Sequence, residues 1–110
     1  MGRRLKHHNW VMLYGVKVRL TEAIPFAILR HEEWLKDTHP IGQLIDMPPL
    51  NFCTIGTREP MKSRSWVIRC AADEEHPILI TRRSKLWEVE YRMLHGMHPT
   101  LVGALEIALQ

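Results

Sequence analysis

The chain has 110 residues, 45% of them hydrophobic and 25% charged, with a formal net charge of +3. That length supports one core and excludes a second full domain. Its apolar runs are cut by charges well before the roughly 20 residues a membrane-spanning helix needs. The N-terminus, Met1-Gly2-Arg3-Arg4-Leu5-Lys6-His7-His8, has no apolar signal core, so a cytoplasmic location is expected.

Residues 1–9 read as a basic arm, followed by a single domain over 10–110. Trp10 to Leu20 reads as one strand, with Trp10, Met12, Tyr14, Val16, Val18 and Leu20 on one face, Lys17 and Arg19 on the other, and Gly15 at a bulge. The period then changes. From Thr21 to Asp37 the residues Ile24, Ala27, Ile28, His31 and Leu35 recur at helical spacing, with Arg30, Glu33, Lys36 and Asp37 opposite. Thr21 as N-cap would put Pro25 inside the helix, and Pro25 itself is the alternative start. The segment 39–50 carries three prolines and no period, and is expected to be an apolar loop.

The second half alternates. Residues 51–57 and 65–71 form a hairpin in which Cys53 pairs with Cys70, Ile55 with Ile68 and Thr57 with Trp66. Residues 78–81 and the stretch from Leu86 form a second hairpin. Pairing Thr81 with Leu86 leaves Arg82-Arg83-Ser84-Lys85 as its loop, with Trp87, Val89, Tyr91 and Met93 on the apolar face. A helix starting near Thr100 buries Leu101, Ala104, Leu105, Ala108 and Leu109, with Val102 and Ile107 widening its apolar arc. It suits packing on a sheet or a surface for self-association. The expected order is β-α-β-β-β-β-α, an α+β fold whose antiparallel-rich sheet carries two helices on its apolar face.

Little of this is chemistry. His31-Glu32-Glu33-Trp34-Leu35 begins like the helical zinc motif, but Leu35 stands where the second histidine is needed. The other six histidines lie in arms, turns or before prolines without ligand spacing. Cys53 and Cys70 read as buried thiols, and the chain has no C-x-x-C pair, no phosphate-binding glycine loop and no nucleophile elbow. No catalytic, metal-binding or cofactor-binding residue is therefore assigned, and the expected role is non-catalytic binding.

Two versions of that role compete. The first is a protein–protein interaction module, a small regulatory or inhibitory accessory factor that docks through a sheet edge, the loop 41–50 and side chains such as Met47, Met61 or Met97. The alternative is nucleic-acid binding through the N-terminal arm and the basic loops 58–64 and 82–85. Alternate hairpin tips of a meander share one end of the sheet, so Arg3, Arg4, Lys6, Lys62, Arg64, Arg82, Arg83 and Lys85 are the candidate contact residues for either partner, with the acidic turn 73–75 at the other end. Cations are also common in turn tips that bind nothing.

Overall fold

Chain reversal at Tyr14-Gly15 decides the N-terminal architecture. Both residues have positive φ, 52° and 80°, which is the geometry of a tight hairpin turn, and glycine supplies the second position without a Cβ clash. The expected single strand is therefore a ribbon of β1 (Trp10–Leu13) and β2 (Val16–Arg19). Its register places Trp10 opposite Arg19, Val11 opposite Val18, Met12 opposite Lys17 and Leu13 opposite Val16. The face assignment changes with it. Val11, Leu13 and Val18 pack on the core, whereas Trp10, Met12, Tyr14 and Val16 are exposed. Lys17 and Arg19 join Trp10 and Met12 instead of opposing them.

The computed structural model describes residues 5–38, 52–57 and 64–110, with only the backbone of residues 34–38 and Thr57. The remaining elements are α1 (Leu20–Thr38), β3 (Cys53–Thr57), β4 (Arg64–Cys70), a 3-10 turn (Ala71–Asp73), β5 (Ile78–Arg82), β6 (Trp87–Tyr91), β7 (Leu94–His98) and α2 (Leu101–Ala108). Arg3, Arg4, Lys62, Met47, Met61, the loop 39–50 and the side chain of Leu35 lie outside the described residues.

Helix α1 begins before either expected start and contains Pro25. The proline removes one backbone bond within the helix. Burial of Leu20, Thr21, Ala23 and Ile24 holds the turns around it, and the Leu20 amide donates to the Asn9 carbonyl at 2.7 Å. The expected stripe is present, since Ile24, Ala27, Ile28 and His31 are all buried and Arg30 and Glu33 are exposed.

Strands β3 to β7 form a five-stranded antiparallel meander in chain order. The first hairpin has the expected register, with Cys53 opposite Cys70, Ile55 opposite Ile68 and Thr57 opposite Trp66. The second is shifted by two residues: Arg82 pairs with Trp87, Ile80 with Val89 and Ile78 with Tyr91. An even shift keeps every side chain on its face, so the apolar pattern could not detect it. The loop is consequently Arg83 to Leu86, closed by reciprocal backbone bonds of 2.9 and 3.3 Å, and Arg82 belongs to β5.

Strand β7 was not expected. Met93, placed by alternation on the apolar face, is instead 97% exposed in the turn between β6 and β7. Trp66, Ile68, Ile78, Ile80, Val89 and Tyr91 face the helices and join α1 and α2 in one core. Thr100 caps α2 by accepting the Gly103 amide at 3.1 Å, and Leu101, Ala104, Leu105, Ala108 and Leu109 are buried as expected, while Val102 and Ile107 are exposed. Gly96 lets α2 close on β7, because a Cβ there would overlap the Ala104 carbonyl. The result is an α+β fold with two helices over one face of the meander.

Candidate functional site

Four of the candidate cations lie together at one end of the meander. Arg64 and Arg82 are directly opposite each other across β4 and β5, and Arg83 and Lys85 belong to the adjoining tip. Two are already engaged by carboxylates. Arg64 is ion-paired to Glu32 of α1, and Arg83 donates to Glu88 Oε1 at 2.9 Å. The Arg82 guanidinium lies over the Trp87 ring at 5.2 Å, and Trp87 stacks on buried Trp66 with a centroid separation of 5.9 Å. Lys85 is exposed.

Lys6 is separated from this group. It follows Leu5, which is buried and whose amide donates to the Tyr91 hydroxyl at 2.8 Å. Tyr91 ends β6, at the opposite end of the sheet from the tips. The expected acidic turn is also at that end, but Asp73 is buried inside it. Tyr91 donates to Asp73 Oδ2, Arg92 donates to the same oxygen from Nε at 3.0 Å and from Nη2 at 2.8 Å, and His76 Nδ1 lies 2.9 Å from Oδ1.

Burial alone would raise the pKa of Asp73, but the bonds from Tyr91, His76 and Arg92 outweigh it and hold the carboxyl at about 2. Burial and the hydrogen bond to Asp73 push the Tyr91 hydroxyl upward. Arg92 itself has φ of 57°, an unfavourable conformation for a residue with a Cβ, which its two bonds to Asp73 hold in place. This network ties Leu5, the β4–β5 connection and the β6–β7 turn together. Both carboxylate oxygens of Asp73 are used in that task.

The ribbon differs. Trp10 and Met12 are each 52% exposed and Tyr14 is 65% exposed. Lys17 and Arg19 lie 5.4 and 5.6 Å from the Trp10 ring. Tyr14 meets Phe26 of α1 edge-on at 5.8 Å, and Arg30 lies 5.3 Å from the Tyr14 ring. Leu29 on the same helix is exposed. Aromatic, Met and Arg side chains held in the open are the composition enriched at protein interfaces. At the base of the ribbon is an open cleft of about 670 Å³, lined by Leu5, Asn9, Trp10, Arg19, Phe52 and Cys70 among others.

Sequence reasoning missed the ribbon because alternation runs unbroken across 10–20 and placed Trp10, Met12, Tyr14 and Val16 together on one face of a single strand. The signal that would have found it is Tyr14-Gly15 at the centre of two short alternating runs.

Cys53 and Cys70 are cross-strand neighbours, free and buried. Their mutual hydrogen bond and burial push the Cys53 thiol well above its usual range, which leaves almost no reactive thiolate. No helix among the described residues is long and apolar enough to cross a membrane. No protein-family model matches this sequence, and neither a curated protein nor a solved structure shows significant similarity to it.

Proposed function

We propose that the protein is a non-catalytic interaction module that docks on an acidic surface of a partner protein through the outer face and tip of the β1–β2 ribbon. The observation that carries this reading is the joint exposure of Trp10, Met12 and Tyr14 with Lys17, Arg19 and Arg30 against the rings. Large apolar side chains left in water cost free energy that a partner recovers by covering them. The three cations favour a partner with carboxylates around an apolar centre, where charge sets orientation and encounter rate and the rings supply the affinity. The cleft beside Trp10 and Arg19 would receive one of the partner's side chains. A regulatory or inhibitory accessory role is the function class this supports.

The basic end supports nucleic-acid binding less well, because Arg64 and Arg83 are held by Glu32 and Glu88 and its aromatic residues lie against the core. A photo-crosslinking residue at position 12 and, separately, at position 85 tests the choice in extract of the native cell. A discrete protein adduct from position 12 that is absent at position 85 is expected. Nuclease-sensitive adducts from position 85 alone would replace this reading with the nucleic-acid one.

A further inference from the structure

The open face of the β6–β7 hairpin, away from both helices, carries Glu88, Glu90 and His95. Glu90 and His95 are register partners, so their side chains leave the same face within about 5 Å of each other at Cβ. Glu88 is two residues along β6 and shares that face. One potential ligand atom from each of the three lies within 4.8 Å of the other two. His95 Nε2 is 2.6 Å from Glu88 Oε2, and Arg83 Nε holds the other oxygen, Oε1, at 2.9 Å. We propose that these three residues form a binding site for a divalent transition-metal ion of the zinc type.

The donor set carries the choice of metal. One imidazole nitrogen with two carboxylate oxygens suits Zn²⁺ and its neighbours, whereas Mg²⁺ and Ca²⁺ favour oxygen ligands throughout. Arg83 on Oε1 fixes the Glu88 carboxylate and leaves Oε2 directed at the imidazole, the outer hydrogen bond that oriented metal ligands usually have.

A second observation is the charge imbalance. Glu88 and Glu90 are same-face neighbours, and Glu88 is ion-paired to Arg83; its contact with His95 Nε2 gives way on metal binding, because a ligating imidazole nitrogen carries no proton. Glu90 makes no ion pair among the described residues. A divalent cation between them neutralises both carboxylates at once. The hairpin supplies rigidity, because all three ligands come from two paired strands joined by the two-residue turn Arg92-Met93. The side chains of His95 and Glu88 are 45% and 18% exposed, which leaves the remaining coordination positions to water.

Calorimetric titration of the full chain with Zn²⁺, with Co²⁺ absorption as a second readout, tests the site. The expected result is one ion per chain, with Glu90→Gln and His95→Asn each weakening binding by at least about tenfold, and His8→Asn, a control for the His7-His8 pair, leaving it unchanged. Melting curves without metal should match wild type, since these side chains are on the open face; if His95→Asn does not fold, Glu90→Gln decides. No binding by the wild-type chain would overturn the proposal, as would binding lost in His8→Asn and retained in Glu90→Gln.

Discussion

The two aromatic clusters are both built around tryptophan and have opposite fates. Trp66 and Trp87 stack under the basic end of the meander, Trp66 wholly inside the core; Trp10 and Tyr14 on the ribbon are open to solvent. Composition does not separate them. What separates them is the number of neighbouring strands and the place of the turns: β4 and β6 are interior strands under the helices, whereas β1 has only β2 beside it. A two-stranded ribbon can bury one face at most against α1, and its outer face has nothing of this chain among the described residues to cover it. The aromatics of the meander are committed to stability. Those of the ribbon remain exposed to solvent.

Removing a ring from each cluster probes this contrast at its extremes. Trp66→Ala should cost about 4 kcal/mol of unfolding free energy through lost burial and a residual cavity, measured by denaturant titration. Asp73 probes the polar side of the same committed region. Its folded pKa of about 2 lies below the ordinary carboxylate value of 3.8, so it stabilises the fold above that ordinary value. About 2 kcal/mol is then lost as pH falls from there through the folded value. Melts between pH 5 and pH 2 should show this slope, and Asp73→Asn should flatten it while lowering stability at neutral pH.

Gly96→Ala comes next, at about 2 kcal/mol, because the added methyl meets the Ala104 backbone carbonyl and α2 must move away from β7. Trp10→Ala should have the smallest effect, about 1 kcal/mol or less in the same titration, since its ring is half-exposed and its partners Lys17 and Arg19 are surface cations. A cost near that of Trp66→Ala would place Trp10 in the core and remove the distinction.

Much of the fold was legible because it rests on side-chain period. The α1 stripe from Ile24 to His31, the α2 stripe from Leu101 to Leu109 and the pairing of Cys53 with Cys70 all follow from which residues must be buried together. What failed were turns without a strong local signature. Tyr14-Gly15 reads as a continuation of its strand because alternation runs through it, and Arg92-Met93 has neither Gly nor Asn, its conformation being fixed by distant Asp73. The two-residue shift between β5 and β6 preserved every face and so left no trace in the pattern.

The candidate site was less legible. The meander order correctly grouped Arg64, Arg82, Arg83 and Lys85, but their partners Glu32, Glu88 and Trp87 come from elsewhere in the chain or across a register. Lys6 was drawn away by burial of Leu5. The ribbon's exposed face depended on the Tyr14-Gly15 turn, which alternation concealed.

The most direct test of the ribbon as the contact surface is a nuclease-treated pull-down from the native extract. It compares the wild-type chain with Trp10→Ala/Tyr14→Ala and with Arg82→Ser/Arg83→Ser/Lys85→Ser. A single protein recovered at fixed ratio by the wild type and the tip variant, and lost with the ribbon variant while that variant stays folded, is the predicted result. Recovery that survives the ribbon changes and disappears with the tip changes or with nuclease would contradict it, and would move the binding surface to the other end of the molecule.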